Sequence, residues 1–131
     1  MKIEREQADG RNAFTGYGEG YVEVNRTRYS ESLVVSGDRL ITAWPAASVE
    51  GLAADHMAAI VELKPEIVLL GSGATFKFPD AALLAPLYKA GIGVEVMDTP
   101  AACRTYNILL GEGRNVVAAL IVVPAKAGTQ A

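Results

Sequence analysis

The chain has 131 residues, a mass of 13.8 kDa and, with 12 basic against 15 acidic residues, a net charge of -3 and a pI near 5.1. One domain fits that length, and 50% hydrophobic against 21% charged residues excludes a disordered acidic or basic tail as the main reading. Scattered positive charges exclude a basic nucleic-acid binder, while a single cysteine (Cys103) and a single histidine (His56) exclude an internal disulfide, a zinc finger and a multi-histidine metal centre.

Residues 1–15 are polar and contain glycine, and they read as an N-terminal arm ahead of one domain over 16–123. Residues 20–24 alternate as a strand does, Asn25-Arg26-Thr27 is a turn, and residues 28–35 return with Tyr29, Leu33 and Val35 on one face. Ser36-Gly37-Asp38 is a second turn, and residues 39–44 form a third strand stopped by Pro45. The first third of the domain is therefore an antiparallel hairpin or meander.

At Ser48 the period changes. Val49, Leu52, Ala53, His56, Met57, Ile60 and Val61 lie on one helical stripe, with Ser48 as N-cap and Lys64-Pro65 as the stop. Residues 66–70 are a short run that is apolar after Glu66, the sign of a strand buried on both faces. A glycine-rich loop follows, then a second helix over 80–90 that contains Pro86 and ends at Gly91. Residues 92–97 form the next strand, Asp98-Thr99-Pro100 opens a third helix, and residues 116–123 form a last buried strand before a tail over 124–131. The predicted architecture is α/β, with a parallel β-α-β-α-β-α-β half behind the meander. The longest nearly apolar stretch, 116–125, falls short of the ~20 residues a membrane helix needs. Residues 1–10 lack the apolar run of a signal peptide, so a cytoplasmic protein without membrane insertion is expected.

Parallel sheets place functional loops at the carboxyl ends of their strands. Two loops there hold the polar interest. Gly71, Ser72, Gly73, Thr75 and Lys77 lie in one, and Asp98, Thr99, Arg104 and Asn107 in the other, a candidate ligand or partner rim. Gly71-Ser72-Gly73 begins like a dinucleotide fingerprint, but Phe76 replaces the third glycine and the helix starts only after Pro79, which favours a plain turn. Cys103 sits in the first turn of its helix beside Arg104, where dipole and charge favour thiolate, yet no neighbouring base is evident and a packing role is preferred. His56 on an apolar stripe reads as a core histidine bonded to a carbonyl. Arg104 opposes the helix dipole and calls for an anion, supplied by Asp98, Glu95 or a ligand. Trp44, Tyr29, Phe76 and Phe78 read as core; if exposed together they would mark a partner surface.

Four segments carry a resemblance. Pro65-Glu66-Ile67-Val68-Leu69-Leu70-Gly71-Ser72-Gly73, Gly91-Ile92-Gly93-Val94-Glu95-Val96-Met97-Asp98-Thr99, Ala102-Cys103-Arg104-Thr105-Tyr106-Asn107-Ile108-Leu109 and Glu112-Gly113-Arg114-Asn115-Val116 resemble the small bacterial and archaeal proteins related to mitochondrial respiratory complex I assembly factor 3. The resemblance spans about residues 15–123 and is most specific at Met-Asp-Thr and Arg-Thr-Tyr-Asn; the usual Gly-Thr-Gly is Gly71-Ser72-Gly73 here. It implies a three-layer β/β/α domain, no established catalytic activity and a role exercised through protein partners. From the residues themselves, no cofactor and no metal are expected. The expectation is a non-enzymatic interaction domain with an assembly-factor-like role for a respiratory or membrane-associated complex, with self-association left open. The alternative is a small-molecule or anion-binding protein, or an enzyme, using the Gly71-Ser72-Gly73 and 98–107 loops.

Overall fold

The structure, a computed structural model, describes residues 10–124. Eight strands and three helices follow in the order β1 (Phe14–Gly18), β2 (Tyr21–Val24), β3 (Thr27–Tyr29), β4 (Leu33–Ser36), β5 (Leu40–Ile41), α1 (Ala54–Val61), β6 (Ile67–Gly71), α2 (Ala81–Lys89), β7 (Gly93–Met97), α3 (Thr99–Gly111) and β8 (Val116–Leu120). They form an antiparallel three-stranded sheet, β1-β2-β3, and a mixed five-stranded sheet in the order β5-β4-β8-β6-β7.

The five-stranded sheet is the centre of the domain, because its middle strands are apolar on both faces. In β8, Val116, Ala118 and Leu120 face one core while Val117 and Ala119 face the other. The same alternation divides Leu69 from Val68 and Leu70 in β6, and Leu33 and Val35 from Val34 in β4. One face is covered by α1 and α2 through Met57, Ile60, Leu84 and Leu87. The other is covered by α3, through Ala102, Cys103, Tyr106 and Leu110, together with Phe14, Val22 and Val24 of the small sheet. The layered α/β domain thus stands as the residues implied. Full burial of each large aliphatic or phenyl side chain among these is worth ~1.5–3 kcal/mol, so these two cores hold the layers together.

Several details differ from the sequence reading. Strand β1 begins within the expected arm: Phe14 is fully buried and packs edge-on against Tyr106 at 5.1 Å. Residues 1–9 of that arm, and 125–131 of the expected tail, lie outside the described residues. The strand expected over 28–35 is two strands in different sheets, because Tyr29 ends β3 and Leu33 begins β4 beside β8. The strand expected over 39–44 is only Leu40–Ile41 and runs antiparallel to β4, so the parallel pairs are β6 with β7 and with β8.

Helix α1 begins at Ala54 rather than after Ser48. Ser48 Oγ instead accepts from Gly51 N in the turn before the helix (3.1 Å). The N-terminal bond of α1 comes from His56, whose Nδ1 accepts from Ala53 N at 2.8 Å. That contact leaves the proton on Nε2, which donates to the Pro45 carbonyl at 3.1 Å. The expected carbonyl partner is present, although His56 is half-buried rather than in the core. Helix α3 is capped as the sequence implies, with Asp98 Oδ1 accepting from Ala101 N, and α2 is capped in the same way by Asp80 Oδ1, which accepts from Ala82 N. Among the described residues no helix is long and apolar enough to cross a membrane.

Candidate functional site

Gly71 ends β6 at the rim where α3 begins. A Cβ there would stand 2.7 Å from Leu120 Cδ2, 2.8 Å from Thr99 Oγ1 and 3.1 Å from Thr99 Cα, so only glycine admits this approach. Thr99 is the knot of the rim. Its hydroxyl accepts from Gly73 N (2.9 Å) and donates to the Ile121 carbonyl (2.8 Å), while its own N donates to Gly73 O (2.8 Å). Gly73, at φ 110, turns the chain so that both its peptide groups meet Thr99. Ser72 folds the loop in the same way: Ser72 Oγ donates to Thr75 O (2.7 Å) and accepts from Lys77 N (3.0 Å). The polar groups of Ser72, Asp98 and Thr99 are thus occupied in holding the loops to β6, β8 and α3.

The structure brings Gly71, Ser72, Gly73, Asp98 and Thr99 together and sends the other candidates elsewhere. Thr75 is exposed, and Lys77 reaches toward the segment before α1, where Nζ lies 3.4 Å from Glu50 Oε2. Asn107 is bonded to the small sheet: its Oδ1 accepts from Phe14 N (3.0 Å) and its Nδ2 donates to Phe14 O (2.8 Å). The amide thereby imitates a neighbouring strand along β1. Tyr106 Oη donates to Asn12 O (2.9 Å), and Arg104 Nη1 donates to Tyr17 Oη (2.7 Å). The Arg-Thr-Tyr-Asn segment is therefore a clamp between α3 and β1. The carboxylates of Asp98 and Glu95, the internal partners expected for Arg104, make no ion pair with it among the described residues.

Cys103 lies one turn into α3 and is 0% exposed. Burial pushes its thiol up to about 12 from an ordinary 9.0, and the nearby Arg104 charge offsets only part of that rise. Dipole and charge therefore lose to desolvation, and the residue packs rather than reacts.

Sequence reasoning misplaced two aromatic residues. Trp44 is buried and Tyr29 half-buried, but Phe76 and Phe78 are 59% and 58% exposed, with ring centroids 6.5 Å apart. Phe78 and Pro79 border a groove of about 450 Å³ whose other walls include the apolar Val49, Leu52 and Leu83 and the acidic Glu50 and Asp80. The signal was present in the sequence: a glycine-rich turn, Phe-Lys-Phe, then a proline and a helix leave those phenyl rings on a loop, outside any strand or helix that could bury them.

Comparison with known proteins adds identity to this geometry. A family described as "Protein of unknown function (DUF498/DUF598)" matches residues 14–121. NADH dehydrogenase (ubiquinone) 1 alpha subcomplex assembly factor 3 from Danio rerio is 40% identical over 87 residues, 65% of this chain and 50% of the relative. The chain thus spans about half the length of that relative. A "13 kDa major membrane protein" from Francisella tularensis is 28% identical over 122 residues, 92% of this chain and 99% of the other. A crystal structure of a Bordetella parapertussis protein is 38% identical, covers 91% of this chain and 100% of that one, and superposes with a TM-score of 0.82.

Proposed function

The chain belongs to the DUF498/DUF598 family, related to complex I assembly factor 3, and from that premise we propose that it is a non-enzymatic interaction domain serving the assembly of a respiratory or other membrane-associated complex. The observation that carries this reading is the exposed Phe76–Phe78 pair, with Phe78 on the edge of a groove of mixed polar and apolar lining. Aromatic rings projecting together from a loop leave apolar area in water that a protein partner would cover. The polar residues of the neighbouring rim support the same reading, since their hydrogen bonds are spent on the fold. The partner is a protein with an apolar segment able to cover the two phenyl rings, beside a groove that Glu50 and Asp80 make partly acidic.

The test is affinity capture from detergent-solubilised membranes of the host. The wild-type chain should retain a defined partner that a Phe76→Ser, Phe78→Ser double variant loses. Both rings are exposed, so the double variant should melt within ~0.5 kcal/mol of wild type in stability. Equal capture by a folded double variant would refute the assignment of this surface.

A further inference from the structure

A second cavity, of about 310 Å³, opens on the opposite side of the rim from the phenylalanine loop's groove, and the geometry points to a binding site there for a small amphipathic carboxylate, an apolar chain or ring carrying one acid group. Its walls are Tyr17 and Tyr21 on the β1–β2 hairpin, Ala74 after β6, Pro100 at the start of α3, and Ile121 and Val123 after β8. The lining is mostly apolar, and the volume stands at the lower end of the ~300–1,000 Å³ usual for ligand sites. The position, at the carboxyl ends of parallel strands β6 and β8, is where α/β folds hold ligands.

Charge supplies the ligand's second property. Each tyrosine wall carries an arginine. Arg104 Nη1 donates to Tyr17 Oη at 2.7 Å, and Arg28 Cζ lies 3.8 Å from the centre of the Tyr21 ring. Both arginines are exposed, and neither has an ion-pair partner among the described residues. Neither arginine lines the cavity itself; each is a planar guanidinium held against one of its tyrosine walls with N–H groups left over, suited to a carboxylate that projects from the apolar pocket. Glu19, exposed at the hairpin tip, is the one acidic residue in the lining and opposes the same anion. This site shares no residue with the Phe76–Phe78 surface, so either assignment can fail without the other.

Amide NMR of the whole chain titrated with octanoate, and separately with octanol, tests the site. Octanoate should move the amides of Gly18, Gly73, Ala74 and Ile121, and octanol should bind about tenfold more weakly, having lost the charge-assisted contact. Arg104→Gln should weaken octanoate about tenfold and leave octanol unchanged, while Glu19→Gln should tighten octanoate. Shifts confined to other residues, equal binding of octanol and octanoate, or octanoate binding indifferent to both variants would each overturn the proposal. So would Arg104-dependent sedimentation with phosphatidylglycerol vesicles in the absence of any octanoate response, which would make the site a lipid-surface contact.

Discussion

Replacing Thr99 with valine keeps its shape and removes its hydroxyl, which strands the buried Gly73 N–H and one bond of the Ile121 carbonyl. We expect a loss of roughly 2–3 kcal/mol in chemical denaturation, the cost of buried polar groups left unpaired. Gly71→Ala should cost about 1–3 kcal/mol, because the new methyl meets Thr99 backbone that cannot swing aside. Cys103 should resist alkylation in the native chain and react once denaturant unfolds it; rapid labelling of the folded protein would mean that the thiol is not buried as described. At this scale the sequence is informative about residue type and silent about partner. It marks Thr99 as a polar group at a rim. Its hydroxyl's partners lie 26 and 22 residues away along the chain, on loops whose meeting only the tertiary structure defines. For Cys103 the local neighbours favour thiolate while the lack of a base favours packing, and burial decides for packing.

Elements were legible where their period was clean and obscure where it was not. Strand β1, Phe-Thr-Gly-Tyr-Gly, places glycines at Gly16 and Gly18, so the alternation that reveals a strand has no side chains to show it. What holds β1 is instead the clamp from α3. Asn107→Ala removes both bonds to the Phe14 peptide, and hydrogen exchange should quicken at Phe14 while the amides of β6 stay protected; uniform loss of protection would contradict a local clamp. The start of α1 was misread for a related reason. Val49 and Leu52 are buried in the turns before the helix, so the apolar spacing runs on across a boundary that the His56 contact sets. At the other end of the sheet, Arg114 holds Glu66 through two 2.8 Å contacts and joins the amino ends of β6 and β8. The Arg114 hydrogen bond, with one from Asn115 N, lowers the Glu66 carboxyl below its ordinary 4.5. A lowered acid stabilises the fold above the unfolded value and loses that contribution as pH falls through the folded one. Glu66→Gln should therefore lower the melting temperature above pH 4.5, and the gap to wild type should close on further acidification; a gap independent of pH would exclude the ion pair as its source.

For the molecule as a whole, the two-faced apolar strands β6 and β8 made the layered α/β domain readable, since a strand without a polar face must be covered on both sides. Strand order was beyond reach: β4 pairs with β8 across more than half the chain, and the break between β3 and β4 moves the path from one sheet to the other within a few residues. The proposed partner surface was half visible. The glycine loop drew attention for its hydroxyls and lysine; the Ser72 hydroxyl binds the loop to itself and Lys77 pairs with Glu50, while the two phenylalanines are the large apolar side chains it presents to solvent. Site-specific photocrosslinking tests that claim most directly. A photoreactive phenylalanine analogue is placed at position 76 and, as a comparison, at Ile108, which is 62% exposed on α3. The account predicts one defined protein adduct from position 76 in cells and none from position 108; adducts from position 108 alone, or equally from both, would contradict it.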